Sequence, residues 1–375
     1  EPLERGAIYA VELPLARACT TISKTREIAE TSAMLAVVVK EIGPWETAME
    51  VRDDWERPAV GEGSVLVRVL ACGLCFPDVL VVEGKHVSQM TAPYVPGNEI
   101  AGEVIAVGDD VTSIAVGDVI FGTCYSGGLA EEALLLEQDC YVVPPTIDPN
   151  HVAGFEVNYG TTYHGLVDIA KICEGETLLV LGAAGGVGLA AVDLGHALGA
   201  RVVACASTAE KLEHCRRAGA DVLINYVTDA GGDFKQALKD AGVYGDIDVV
   251  YDPVGGAFTE VGLRSLSFGG RIVIVGFASG GTNPKSAIAK LPANLALLNE
   301  RQILGCLWGY WKMRDGNVQN RRNINAMVSM IEEGKLKPVV SATYTFTTYL
   351  QAFDAIMSRK VVGKVTVQPV RGARL

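Results

Sequence analysis

The chain of 375 residues is long enough for two domains, and its 49% of apolar residues and 42 glycines are typical of a packed α/β protein. Its formal net charge of −12 argues against a nucleic-acid-binding protein, because phosphate backbones attract a basic surface. Nine irregularly spaced cysteines indicate a reducing compartment, and no apolar run reaches the roughly 20 residues of a membrane span, so we expect a cytoplasmic protein that does not cross a membrane.

Residues 1–33 differ from the rest of the chain. Arg17, Lys24 and Arg26 in a stretch rich in Ser and Thr are typical of an organelle transit peptide, whereas five glutamates in the same segment are not. We therefore expect an N-terminal extension ahead of a fold that begins at Met34. A cleaved transit peptide, with a mitochondrial or plastid location, is the alternative.

The chain from Met34 to about Pro145 has the pattern of a small β domain. The segments "SVLVRVLACG" and "GEVIAVGDDVTSIAVGDVIFG" contain short apolar runs separated by Gly-Asp turns. Strands at this spacing predict a small barrel or sandwich. A cluster of prolines at positions 144, 145 and 149 then predicts a domain boundary.

From about Tyr159 the pattern changes to apolar runs separated by helical segments. Five such runs begin, at intervals of roughly 20 to 25 residues, at Thr177, Arg201, Val222, Ile247 and Arg271. Strands that are apolar throughout are buried on both faces, so the sequence predicts a parallel, doubly wound sheet covered by helices. Two further helices are expected at "NINAMVSMIEEGK" and "YLQAFDAIMSR", and two last strands at "VSATYTF" and "GKVTVQP".

The end of the first of these strands carries a glycine-rich loop. "LLVLGAAGGVGLAAVDLG" places glycines at positions 182, 185, 186 and 188, where a helix begins. A diphosphate can approach such a backbone closely and face the helix N-terminus, so we expect Gly185, Gly186 and Val187 to face a dinucleotide. A glycine turn that merely packs strand against helix is the alternative.

The end of the second strand indicates which dinucleotide is bound. A site for NAD places Asp or Glu there to hold the ribose 2′-hydroxyl. This chain has Ala206, Ser207 and Thr208 instead, with Lys211 one turn later, a set that suits the 2′-phosphate of NADPH. Glu210 is the residue that argues for NADH.

With these motifs in place, the chain resembles the medium-chain dehydrogenase/reductase superfamily, and within it the zinc-free NADPH:quinone oxidoreductases related to zeta-crystallin. The stretches that carry the resemblance are "GLCFPDVLVVEGK", "PGNEIAGEV", "GGLAEE", "YGTTYHGL", "LLVLGAAGGVGLAAV", "VVYDPVGG" and "VGKV". The resemblance implies a GroES-like β-barrel catalytic domain at 34–154 and 307–375 and a Rossmann NADPH-binding domain at 155–306. It also implies a cleft that holds the nicotinamide, and a homodimer.

The zinc enzymes of this superfamily need a ligand set that the sequence does not offer. Cys75 would match one catalytic ligand, but the second position is Asn98, and the region of the third, "GFEVNYG", offers Glu156 and no cysteine. We therefore expect no bound metal. The pair Cys72 and Cys75 also lacks the thioredoxin-like setting of a redox C-x-x-C, so we expect Cys72 to be a buried apolar residue. A thiol at Cys75 that reacts with electrophiles is the alternative for that residue.

The resemblance implies a zinc-independent, NADPH-dependent oxidoreductase that reduces a small-molecule quinone or another α,β-unsaturated carbonyl. Cys75, Asn98 and Tyr159 are the residues expected near the acceptor. Family positions around the cofactor are matched by Thr161 and Phe277 near the nicotinamide, by Ser207, Lys211 and Tyr226 around the adenosine phosphate, and by Lys364. An enoyl-thioester reductase on the same scaffold and a non-catalytic NADPH-binding protein are the alternatives.

Overall fold

The computed structural model describes residues 33–86, 88–281, 283–314 and 317–370. By their contacts, these residues form two compact units. The first comprises the chain up to Val143, Thr343–Ile356 and the residues from Thr366; the second comprises Pro144–Ala342 and Met357–Val365. The predicted extension, residues 1–33, lies outside the described residues except for Ala33. No helix among the residues described has the length and apolar character needed to cross a membrane.

The first unit is built from β-strands, as predicted. Its main sheet has seven strands in the order β14-β15-β3-β4-β5-β7, with β6 paired to β3, and β1 and β2 form a separate antiparallel pair. Strand β3 buries Val65, Val67 and Val69 and exposes Arg68, which is the alternation that the sequence predicts for a sheet with one buried face. The strands are β1 Ala33–Val39, β2 Met49–Glu56, β3 Ser64–Leu74, β4 Glu99–Val107, β5 Val119–Thr123, β6 Glu132–Leu136, β7 Cys140–Val142, β14 Val340–Thr345 and β15 Lys364–Gln368. The helices are Trp45–Ala48, Phe76–Val82 and Tyr349–Met357.

The second unit contains a six-stranded parallel sheet in the order β10-β9-β8-β11-β12-β13. Its strands are β8 Thr177–Val180, β9 Arg201–Ala206, β10 Val222–Asn225, β11 Ile247–Asp252, β12 Leu266–Ile274 and β13 Gln302–Gly305. The five predicted runs are confirmed, although β12 begins before the predicted Arg271 and the sequence did not predict β13. The strand order reverses at β8, and this is the position where doubly wound sheets bind their ligands.

Helices follow the strands of this sheet. Gly186–Ala197, named here the glycine-loop helix, follows β8, and its neighbours begin at side-chain caps: the hydroxyl of Thr208 accepts from the Lys211 amide, and the carboxylate of Asp233 accepts from the Gln236 amide. The remaining helices are Pro149–Val152, Ala209–Arg217, Phe234–Asp240, Ala257–Ser265, Asn294–Leu298, Trp308–Arg314 and Val318–Glu332.

A helix with two wide turns precedes β8. The segment 156–169, named here the bulged helix, has π-helical geometry at Glu156–Gly160 and His164–Ile169 and α-helical geometry between them at Thr161–Tyr163. Such turns are uncommon and occur often at functional sites. Within the second wide turn, His164 serves packing: its ring stacks on that of Trp311 with ring centroids 3.8 Å apart.

A buried ion pair joins the bulged helix to the helix Trp308–Arg314. The ammonium of Lys312 lies 2.6 Å from Oε1 of Glu156, and these residues are 2% and 0% exposed. Oε1 also accepts from the amide of Asn320, whose oxygen accepts from the indole of Trp308. The chain was predicted to return to the catalytic domain at residue 307, whereas the compact units place this segment with the parallel sheet, because these polar contacts hold it against the bulged helix.

Lys312→Met tests this pair. The substitution keeps most of the aliphatic side chain but removes the ammonium that neutralises the buried Glu156 carboxylate. The free energy of unfolding, measured by urea denaturation, should therefore fall by about 3 kcal/mol or more. Adding Glu156→Gln should recover part of the loss. The matched control is Lys335→Met, which breaks an exposed pair with Glu333 of the same 2.6 Å length and should change stability little. Equal losses in both variants would contradict the argument.

Candidate functional site

The glycine loop has the conformation that its sequence predicts. Gly182 has a φ of +59°, which favours glycine, and the glycine-loop helix begins after Gly185. A Cβ on Gly188 would lie 2.3 Å from the carbonyl oxygen of Gly182, so the helix reaches this position only with glycine there. Glycine at positions 182 and 188 is therefore explained by the packing of strand against helix, which was the alternative to dinucleotide binding.

Gly185 is different, because no contact among the described residues requires glycine at that position. Its φ is −72°, it is exposed, and an added Cβ would meet only the oxygen of Gly182, at an ordinary 3.5 Å. The missing side chain leaves the outer side of the loop open directly before a helix N-terminus, where backbone N–H groups have no helical partner. This surface fits the diphosphate of a dinucleotide. Val187 lies in the first turn, partly exposed, and its carbonyl accepts from the hydroxyl of Thr162.

Two cations lie near the end of β9, where the sequence predicts the adenosine phosphate. Lys211 is partly buried, and its ammonium donates to the carbonyl of Arg359 at 2.6 Å. Burial, and then the charge of Arg359, lower the pKa of Lys211. Within the described part of the chain neither cation is paired with a carboxylate, and Ser207 is partly exposed nearby in sequence. Arg359 was not identified from the sequence, because an Arg-Lys pair after a helix is usually exposed to solvent and has no specific role.

Tyr226 and Phe277 also follow strands of the parallel sheet. The ring of Tyr226 meets that of Phe258 edge to face, with centroids 5.1 Å apart. Phe277 lies just after β12, and its ring is close enough to Gly255 that a Cβ there would lie 2.9 Å from its Cδ1. Both side chains are partly exposed, and their predicted roles near the adenosine and the nicotinamide stay predictions.

The second unit has a small recess beside the first turn of the glycine-loop helix. Three of the predicted site residues, Tyr159, Gly186 and Lys364, line it together. The whole lining consists of His151, Gly154, Phe155, Asn158, Tyr159, Gly186, Leu189, Ala190, Pro338, Val339, Gly363 and Lys364. Asn158 was not predicted, and nothing in its sequence context separates it from an ordinary helix residue.

Tyr159 is anchored by a buried carboxylate. Its hydroxyl donates to Asp193 at 2.7 Å, and the same Asp193 oxygen accepts from the backbone of Lys337 at 2.8 Å. Burial first, and then the charge of Asp193, raise the pKa of Tyr159 well above its ordinary value. Burial likewise raises the pKa of Asp193. The tyrosine was predicted to lie near the acceptor; the structure shows its ring at the recess and its hydroxyl engaged with Asp193.

Thr161 lies on the α-helical turn in the middle of the bulged helix. It is partly exposed, and its carbonyl accepts from the thiol of Cys306 at 3.6 Å. Its neighbour Thr162 is buried and bonds to Tyr251 at 3.1 Å. Thr161 is therefore the member of this pair whose side chain solvent can reach.

Cys75 and Asn98 lie in the first unit. The thiol of Cys75 donates to Oδ2 of Asp78 at 3.0 Å, and the backbone of Cys75 donates to the same oxygen at 2.7 Å, which together cap the helix Phe76–Val82. Asn98 is partly exposed, and its buried Oδ1 has no hydrogen-bond partner in the part of the chain that the structure describes. Cys72 is fully buried, as predicted.

These residues do not fit a zinc ion. The thiol at Cys75 is a hydrogen-bond donor in a helix cap, and the next expected ligand position holds the amide of Asn98. Within the described ranges, no group of three or more His, Cys, Asp or Glu side chains could hold a metal ion. The absence of zinc stays a prediction.

The chain matches two known protein families. Residues 61–145 match the alcohol dehydrogenase GroES-like domain, and residues 186–328 match the family described as zinc-binding dehydrogenase. The first unit is accordingly a GroES-like domain, and the second is a Rossmann-type domain, as predicted.

Relatives of known identity cover most of the chain. It is 34% identical to quinone oxidoreductase-like protein 2 homolog of Nematostella vectensis, over 94% of this chain and 95% of that protein. It is 32% identical to the human synaptic vesicle membrane protein VAT-1 homolog, over 83% of this chain and 80% of that protein. The structure of the quinone oxidoreductase from Thermus thermophilus, solved alone and with NADPH, matches with a TM-score of 0.75 and 29% identity, over 89% of this chain and 100% of that one. The chain therefore belongs to the medium-chain dehydrogenase/reductase superfamily, in its quinone oxidoreductase-like branch.

Proposed function

We propose that this oxidoreductase uses NADPH to reduce quinones or other α,β-unsaturated carbonyls, without zinc. The observation that carries the proposal is the glycine loop, where Gly185 leaves an open approach to a helix N-terminus. A relative from Thermus thermophilus, named a quinone oxidoreductase and solved with NADPH, supports the same reading. The overall reaction is NADPH + H⁺ + acceptor giving NADP⁺ and reduced acceptor.

NADPH would supply the hydride when bound, and the residues of this chain would hold it in place. Gly185, Gly186 and Val187 would receive the diphosphate, and Lys211 with Arg359 would neutralise the 2′-phosphate. The carboxylate that NAD sites use at the end of β9 is replaced by Ser207.

The proposed acceptor class follows from the residues expected beside it. Cys75 and Asn98 offer hydrogen-bonding groups and no set of metal ligands, so a carbonyl would gain only a modest electrostatic stabilisation from Asn98. Quinones and enones suit such a site, because conjugation already makes them good hydride acceptors. Asn98 is the residue whose amide we propose to contact the acceptor oxygen.

Purified protein should oxidise NADPH in the presence of a benzoquinone or a simple enone, followed by the loss of NADPH absorbance. Metal content measured on the same sample should be far below one zinc per chain. Asn98→Ala should lower kcat/KM by about tenfold, as expected for loss of one hydrogen bond to the reacting oxygen, with NADPH affinity unchanged.

The alternatives give different results in the same assay. Faster turnover of crotonyl-CoA than of any quinone would favour an enoyl-thioester reductase. Tight NADPH binding with no turnover of any acceptor would favour a non-catalytic binding protein. Stoichiometric zinc, with activity lost on chelation, would contradict the proposed mechanism.

Cofactor preference should depend on the two cations after β9. Lys211→Ala is expected to raise the Kd of NADPH at least tenfold and to leave the Kd of NADH nearly unchanged, because only NADPH carries the 2′-phosphate. Titration of cofactor fluorescence measures both constants. Lys235→Ala, which removes a lysine that stacks on Tyr244, is the matched control and should change neither. Wild-type protein that prefers NADH would show that Ser207 and Lys211 do not select a 2′-phosphate.

We further propose that two copies of the chain associate at the edge of the parallel sheet. Strand β13 is the last strand in the sheet order, and Ile303 on it is 45% exposed, while Leu307 just after it is 68% exposed. An unpaired edge with exposed apolar side chains favours pairing with another strand. Light scattering should give the mass of a dimer, and Ile303→Lys should shift it toward the monomer. A monomeric wild type would contradict the proposal.

A further inference from the structure

The side chain of Asn158 lies at the wall of the recess and is not used by the described part of the protein. Asn158 is 6% exposed, it lines the recess beside the glycine-loop helix, and its side chain makes no hydrogen bond with any described residue. Its amide is therefore held in one place by packing while both of its polar atoms stay available to a ligand at the recess.

The amide lies directly over the start of the glycine-loop helix. A Cβ on Gly186 would lie 2.7 Å from Oδ1 and 2.8 Å from Nδ2 of Asn158, so glycine at this position makes the room that the amide occupies. The helix has 12 residues, and no side chain of the described residues caps its N-terminus, where the first N–H groups have no partner within the helix. Helix dipole and unpaired N–H groups both favour negative charge here.

Lys364 adds a cation to the same recess. It is 4% exposed, and its stem runs where a side chain on Gly154 would be: a Cβ there would lie 2.2 Å from Cε of Lys364. Two glycines thus make room for the Asn158 amide and the Lys364 stem. No carboxylate is among the described residues that line the recess, which favours a ligand that carries hydrogen-bond acceptors.

We propose that Asn158 is a further cofactor-binding residue, whose amide donates to an oxygen of the nicotinamide-side phosphate of NADPH. The inference rests on the proposed use of NADPH. The nicotinamide side is indicated because Asn158 lies on the bulged helix three residues before Thr161, which is partly exposed and is the residue expected near the nicotinamide. The free volume of the recess, about 10 Å³, accommodates one water-sized group, which suits a phosphoryl oxygen and excludes a ring.

The test compares two ligands on the purified full chain by fluorescence or calorimetric titration. Asn158→Ala should raise the Kd of NADPH about tenfold. It should leave unchanged the Kd of adenosine 2′,5′-bisphosphate, which has the adenosine half of NADPH and lacks the nicotinamide-side phosphate. Asn158→Asp, which has nearly the same shape and an added negative charge, should weaken NADPH more than Asn158→Ala does. Asn325→Ala, an exposed residue of the helix Val318–Glu332, is the control and should change neither constant.

Each result separates this inference from the proposed function. Unchanged NADPH binding in both Asn158 variants would overturn it, and equal weakening of both ligands would also overturn it, by showing a distorted loop. If Asn158→Ala does not fold, the isosteric Asn158→Asp decides. Wild-type protein that binds neither ligand would overturn the inference together with the proposed use of NADPH. NADPH affinity that depends on Asn158, without turnover of any acceptor, would support the inference and remove only the reductase activity.

Discussion

The buried pair of Lys312 and Glu156 is the constraint on which the second unit depends. Two charges removed from water are tolerated only where their geometry is good and hydrogen bonds support them, and here Asn320 donates to the same oxygen of Glu156 as Lys312 does, while Trp308 donates to Asn320. Because Glu156 is the first residue of the bulged helix, the pair determines where that helix starts against Trp308–Arg314. Asn158, which lies against Gly186, and Thr162, whose hydroxyl donates to the carbonyl of Val187, follow within two turns.

Small residues then determine which polar groups reach the glycine loop. Gly186 and Gly154 lie under the side chains of Asn158 and Lys364, and a single methyl group at either position would collide with them. Gly160 serves packing in the same way, since a Cβ there would lie 3.0 Å from the indole of Trp308. The site is thus shaped as much by missing side chains as by the functional groups that fill the space.

The fold could be predicted from the sequence to a large extent, because it depends on local periodicity. Buried parallel strands are apolar throughout, and a glycine-rich loop after the first of them occurs in few fold types. Strand β13 was missed, since Gln302–Gly305 is short and mostly exposed and lacks the apolar run of a central strand. The buried network around Lys312 was missed for another reason: Lys312 and Glu156 are 156 residues apart along the chain, and Trp308 and Asn320 are 12 apart. An aromatic segment that contains a lysine has no periodic signature. Asn158 and Arg359 acquire meaning only through such distant contacts.

The anchoring of Tyr159 has a thermodynamic consequence for binding. One carboxylate, Asp193, joins the bulged helix, the glycine-loop helix and the backbone at Lys337, and all three segments contribute walls of the recess. Their relative positions are therefore set before any ligand arrives. A ligand that enters such a recess restricts little further main-chain or side-chain freedom of the protein. Most of the interaction energy of binding is therefore retained as affinity. The buried Asp193 thus favours binding by lowering its entropic cost, through the segments that it holds in place.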